Sequence, residues 1–378
     1  KAGRPAEAEK VIAEVGTRLS AKNAAITAAR CYEVLGKPEL AQQRYQKALA
    51  VAPDDLTVVL PAVSCYGRHG NLDQAEKLLS GVLQRNKMLQ TAEVVGVRRQ
   101  LAQIYQARGG FHNLEKANDL LTANLSLDRD SVDDLRLKAL VNLGHPRRNR
   151  RTEAVAALEQ LCQAKRATAD DQFLLAKTQL KLGNWPRANE LFRSLIAEHG
   201  NVPKYWIPYI EGLLQHDALA DADMSIARLE TLTKETPITV GFRVDLLCAM
   251  DEPQSALAAL KRFIDAVDQQ SPERDARMHF AADKLAQLTR RLTKPEQQPM
   301  VRTFTGFAEA MYREYAKKSP RDQLVLGIFL ARQGKLDEAI AVVRQYAPEC
   351  SPNDVFATCI RLLEMQKLRP VHIEVLDS

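Results

Sequence analysis

The sequence predicts an all-α protein, a right-handed α-solenoid of tandem antiparallel helix pairs, on three observations. The first is composition: 51 Ala and 49 Leu stand among 378 residues, while aromatics make up only 6%. Ala and Leu give up little side-chain freedom in a helix, and a sandwich or barrel would draw on more β-branched and aromatic residues. The second is periodicity: Tyr32 and Tyr66, Gly36 and Gly70, and Ala41 and Ala75 each stand 34 residues apart. The third is punctuation, a turn residue followed by Pro or an acid at nearly every step of that period. A single globular core of this length would be too large. A repeat that buries its faces against its neighbours removes the difficulty, so residues 1–378 read as one continuous array of about nine to ten helix pairs.

Each unit has the same physical plan. A first helix of about thirteen residues carries apolar side chains at i, i+3, i+4 and i+7. A turn follows, often at Gly, because it needs φ > 0 or close backbone approach. A second helix then starts near Pro or an acid, as at Pro38–Glu39, Asp73, Pro253 and Asp337–Glu338, which suits a helix first turn. A small residue five positions after the turn lets the two helices approach. The turn falls at Gly3, Gly36, Gly70, Gly109, Gly144, Gly183, Asp217, Asp251 and Gly334. The matching small residues are Ala8, Ala41, Ala75, Ala117, Ala154, Ala188, Ala222, Ala256 and Ala339. The long interval before Gly334 holds a degenerate pair, about 272–320, with Ala308, Tyr312 and Tyr315 facing inward and Pro320 as the stop. Partial units are expected at 1–21 and 352–378.

This arrangement resembles the tetratricopeptide repeat, in its bacterial multi-repeat form. The segments that carry the resemblance are Tyr32–Gly36–Ala41–Tyr45–Ala48–Pro53, Leu175–Ala176–Gly183–Ala188–Phe192, Trp206–Leu213–Ala222 and Leu326–Gly327–Gly334–Ala339. The resemblance implies a non-catalytic protein–protein interaction scaffold that holds a partner peptide or protein along the concave face formed by first helices. The inward positions would be Ile26, Arg30, Leu60, Arg99, Lys138, Phe173, Lys177, Ile207, Glu211 and Leu324. Their mixture of apolar and mostly basic side chains suits a segment with hydrophobic anchors and acidic groups. Two known groove types are missing. Ile26, Arg30 and Pro61 stand where a chaperone-tail clamp needs Lys and Asn, and Thr27, Pro61 and Leu174 where an asparagine ladder would run. A second reading makes the chain the repeat arm of a larger enzyme or secretion protein, since Lys1 opens in mid-repeat and the last unit is unfinished. On that reading the native N-terminus lies upstream.

The chemistry of catalysis is not visible. No phosphate loop, dinucleotide fingerprint, nucleophile elbow or H-E-x-x-H motif occurs, and the seven His are scattered. No cofactor and no metal site is expected, and no apolar run reaches the roughly 18 residues of a membrane helix. The acidic pairs Asp54–Asp55, Asp133–Asp134 and Asp170–Asp171 recur near the starts of first helices, which marks them as caps and dipole partners. Cys31 and Cys65 share a repeat position and read as small packing residues; with no C-x-x-C pair, the cysteines favour a reduced, cytoplasmic setting.

Two turns are enlarged. Gly110–Phe111–His112–Asn113 adds three residues, and His145–Pro146–Arg147–Arg148–Asn149–Arg150–Arg151 adds five, placing four guanidinium groups in a short loop. The insertions are expected on one edge. The economical reading of Arg147, Arg148, Arg150 and Arg151 is a solvated loop that neutralises nearby acids. An acidic partner or a nucleic-acid phosphate would also suit them. Nucleic acid is the least favoured partner, because no aromatic residue is interleaved and the net charge is only +6.

Overall fold

The structure, a computed structural model, describes residues 10, 12, 19–268, 271–292 and 295–364. These fall into two compact units, Lys1–Leu191 and Phe192–Ser378. Among the described residues 19 α-helices and no strands are present, so the fold is all-α, built from tandem antiparallel helix pairs.

In the first unit the pairs are α1 (Ala21–Val34) with α2 (Pro38–Val51), α3 (Leu56–Arg68) with α4 (Leu72–Arg85), α5 (Thr91–Arg108) with α6 (Phe111–Leu125), and α7 (Val132–Gly144) with α8 (Arg148–Gln163). Helix α9 (Ala169–Lys181) follows, and the division between units falls within α10 (Trp185–His199). In the second unit the pairs are α11 (Pro203–Gln215) with α12 (Leu219–Thr233), α13 (Pro237–Ala249) with α14 (Pro253–Asp265), α15 (Pro272–Arg291) with α16 (Gln298–Ala316), and α17 (Pro320–Arg332) with α18 (Leu336–Tyr346). Helix α19 (Pro352–Glu364) packs on α17. The expected partial units lie largely outside the described residues, including Gly3, Ala8 and everything after Glu364.

Local chemistry sets the boundaries. Ser20, Asp55, Thr168, Thr236 and Ser319 cap first helices by accepting a backbone N–H within the first turn. Between the helices of a pair the backbone turns at φ +69° in Gly36, +78° in Gly70 and +83° in Gly183. Asp217 and Asp251 hold the same turn at +55° and +60°, a conformation that short polar side chains tolerate best among non-glycine residues. The small residues after the turns, Ala41, Ala75, Ala117, Ala154, Ala222, Ala256 and Ala339, are all fully buried, which is how paired helices come close.

Three expectations change. Gly144 is not a left-handed turn residue; it ends α7, and the chain crosses through His145 and Arg147, both in extended conformations. The two enlarged turns are not loops. The extra residues lengthen second helices, α6 from Phe111 and α8 from Arg148; for α8 the Arg-rich start without Gly or Pro favours helix. Pro320 does more than stop a helix: it is the first residue of α17, where its missing N–H costs nothing. In the degenerate pair Ala308 and Tyr312 are buried and Tyr315 half-buried.

The cores of the two units differ. In the first, one apolar cluster runs from Ala28 to Val141 and another from Leu135 to Leu175, and α7 contributes to both from opposite faces. In the second, one continuous cluster runs from Val240 to Leu362 and includes Phe263, Phe304, Tyr312 and Phe329.

Candidate functional site

The residues expected to line a groove divide into three groups. Ile26, Leu60, Phe173 and Ile207 are half-buried, and Arg30 and Glu211 are exposed. Lys138 donates to the Thr122 hydroxyl at 3.0 Å, and the Lys177 ammonium lies 5.3 Å from the centre of the Phe173 ring. Arg30, Lys138 and Lys177 form no ion pair with a described residue.

Arg99 belongs to a different arrangement. Its Nε and Nη2 donate to the Asp134 carboxylate at 2.7 and 2.9 Å, and Nη2 also donates to Ser131. Asp134 is fully buried and additionally accepts from Asn124. The guanidinium is thus held as one side of a bridge between first helices, so it is not a free groove cation. Leu324 is the plain correction. It is only 2% exposed, inside the cluster of the second unit. Helix α17 is packed by α16, α18 and α19, which leaves that position no open face.

The Arg99–Asp134 bridge is one rung of a pattern. Lys22 pairs with Asp55 at 2.7 Å and Arg136 with Asp171 at 2.7 Å. The separations are 33 residues for Lys22–Asp55 and 35 for Arg99–Asp134 and Arg136–Asp171, one repeat in each case. The recurring acids do cap their own helices, as the sequence suggests for them. Asp55 accepts from the Thr57 N–H, and Asp171 closes a capping box with Thr168. The cation one period earlier is what sequence reasoning missed, although its spacing was visible. The hydrogen bond from Lys22 holds the Asp55 carboxyl at about 2. Burial raises Asp134 and Asp171, but the hydrogen bonds from Arg99 and Arg136 outweigh it, so both lie below the usual carboxylate range.

At the basic segment the two lengthened helices meet. Phe111 packs on His145 with ring centres 5.1 Å apart, and the Arg147 guanidinium stands 4.7 Å from the centre of the Phe111 ring. His145 is 2% exposed, its Nδ1 accepts from the Arg147 N–H, and its Nε2 is 3.1 Å from Glu115. Arg150 donates to Glu115 and to both oxygens of Glu153. Burial alone would raise Glu115, and Arg150 reverses this, so the carboxyl sits below its ordinary value. Arg150 therefore neutralises acids as expected, whereas Arg148 is exposed, Arg151 half-buried, and neither pairs with a described acid. Glu115 was not singled out from sequence, and Phe111 and His145 only as members of the two insertions, whose expected adjacency pointed to them.

Elsewhere the chemistry is sparse. Among the described residues no group of three His, Cys, Asp or Glu side chains is placed to hold a metal. The cysteines are free, and burial pushes Cys65 up to about 11. No described helix is long and apolar enough to cross a membrane. In the second unit Arg193, Ile196, Trp206, Tyr209, Asp221 and Met224 line an open hollow of about 350 Å³.

Comparison with known proteins fits this geometry. Tetratricopeptide repeat models match residues 35–101, 172–201 and 308–355. No curated protein sequence matches the chain. Among solved structures it is similar to a tetratricopeptide repeat protein from Parabacteroides merdae, at 14% identity and TM-score 0.46, covering 69% of this chain and 98% of that one. It is also similar to the C-terminal part of a TPR repeat-containing protein from Cytophaga hutchinsonii, at 11% identity and TM-score 0.43, covering 74% and 99%. A third is YrrB, described as a TPR protein with an unusual peptide-binding site, at 15% identity and TM-score 0.40, covering 52% and 94%. The three matched segments and the turn-and-anchor geometry of the helix pairs support a multi-repeat tetratricopeptide protein and, in general, a protein-interaction scaffold.

Proposed function

We propose that the chain is a non-catalytic scaffold whose first helices hold an extended segment of a partner protein, one with apolar anchors and acidic groups. The observation that carries this reading is the set Ile26, Leu60, Arg30, Lys138 and Lys177. All lie on first helices of one unit, with apolar side chains only half-buried and cations that no described acid neutralises. Unneutralised cations beside partly covered apolar side chains match the two recognition elements such a segment needs.

The test is selection of binders from a random peptide library on the full chain. Enriched peptides should combine aliphatic or aromatic residues with Asp or Glu. Their affinity should fall in Arg30→Glu and Lys177→Glu variants that keep the wild-type helix content. Binders without acidic residues, or binders indifferent to both substitutions, would contradict the reading.

A further inference from the structure

We propose that the start of α8, with Phe111 beside it, is a second docking site that takes a short acidic segment of a partner protein. The inference does not depend on the groove reading, since it uses none of the groove residues.

It begins from the count of charges at the turns inside the helix pairs. In the first unit Glu33 accepts from Arg68, Glu76 from Arg108 and Glu115 from Arg150. The first two links use one arginine each. At the third, Arg150 reaches Glu115 and Glu153, and Arg147 lies at the edge of the same Glu115 carboxylate. Two guanidinium groups, Arg150 and Arg147, serve those acids, yet the segment supplies four. Arg147 is 58% exposed, 3.5 Å from the already engaged Glu115, and Arg148 and Arg151 pair with no described acid.

The surplus is unfavourable where it stands. The N-terminal end of a helix carries partial positive charge and favours acids. Helix α8 instead has no acid in its first turn, no side-chain cap, and three arginines within its first four residues. Like charges at this spacing also repel one another. Glu115, Glu153 and Phe111 offset part of that cost through Arg150 and Arg147, but nothing described does so for Arg148 and Arg151, whereas an incoming carboxylate would relieve both the repulsion and the dipole.

The geometry also selects the ligand. Arg147 is held over the Phe111 ring and beside Glu115, while Arg148 and Arg151 keep their guanidinium groups available for pairing with a carboxylate. A polynucleotide fits poorly. The arginines of the preceding steps are taken up, Arg68 by Glu33 and Arg108 by Asp73 and Glu76, so these described arginines do not continue the basic segment as a cationic track. The Phe111 face lies under Arg147, closed to base stacking.

The experiment uses the full chain and fluorescence anisotropy at low salt, with fluorescein-labelled hexaglutamate as probe, hexaglutamine as blank and oligothymidylate as competitor class. Wild type should bind hexaglutamate saturably. Arg148→Glu/Arg151→Glu should weaken binding at least about tenfold while leaving the melting temperature unchanged or raised, since acids suit that helix end. Lys77→Glu/Lys87→Glu, with the same change in net charge on exposed lysines of the same unit, should bind as wild type. The proposal is overturned if the arginine variant binds normally or melts lower, if the lysine variant loses as much, or if oligothymidylate binds more tightly than hexaglutamate.

Discussion

The two units use the same helix pair but weight ion pairs and aromatic packing differently: the second also links first helices, at Lys284–Asp245 and Arg321–Asp354, and the first also buries Tyr45 and Tyr66. In the first, buried or half-buried acids on first helices meet cations one period away, at Lys22–Asp55, Arg99–Asp134 and Arg136–Asp171. Two separate apolar clusters flank α7, whose Asp134 and Asn142 are fully buried. In the second unit one apolar cluster spans α13 to α19, with Phe263, Phe304, Tyr312 and Phe329 inside it. Directional ion pairs fix register but carry a desolvation cost; aromatic packing supplies stability with looser demands on alignment. A repeat can thus keep its period by either means.

Substitutions that remove each means should separate the units. The largest effect is expected from Phe304→Ala, a fully buried ring in the second unit, at about 4 kcal/mol. Urea unfolding followed by hydrogen exchange should assign that loss to α13–α18. Asp134→Ala should cost the first unit about 3 kcal/mol, because Arg99 and Asn124 lose a buried partner, and its exchange should rise in α5–α8. Equal spreading of either loss over both units would break the comparison.

Acid should act on the same contrast. Asp55, Asp134, Asp171, Glu76 and Glu115 in the first unit have lowered pKa values, against Glu309 and Glu314 in the second. A lowered folded-state value means the unfolded chain binds more protons, so stability rises with pH through that window. The contribution is complete above the ordinary carboxylate pKa of roughly 4 and is lost as pH falls toward the folded values, about 2 for Asp55. Melting followed in acid should show the first unit losing more than the second.

The smallest expected effects lie at the turns. Gly70→Ala forces a Cβ into φ +78° and should cost about 1 kcal/mol. Asp217→Gly, at +55°, should gain up to about 1 kcal/mol. Urea midpoints of the two variants should therefore move in opposite directions.

Much of this was legible in the sequence. The period fixed the helix pairs, and the turn residues held at Gly36, Gly70, Gly183, Asp217, Asp251 and Gly334, all with positive φ. Gly144 failed because a following Pro imposes extended backbone on its neighbour, and the turn moved past it. The loop expected at Arg147–Arg151 failed because spacing counts residues without saying whether they extend a loop or a helix. Site residues were harder. Arg99 and Leu324 occupy the positions expected of groove residues, but position within a repeat does not reveal a buried acid 35 residues later or a helix packed against the same face.

The most direct test of the contrast is hydrogen exchange of the full chain at neutral pH and near pH 3, each corrected for intrinsic rates. The ion-pair account predicts that protection in α5–α9 collapses in acid while α13–α17 keep most of theirs. Equal loss of protection in both units, or greater loss in α13–α17, would contradict it.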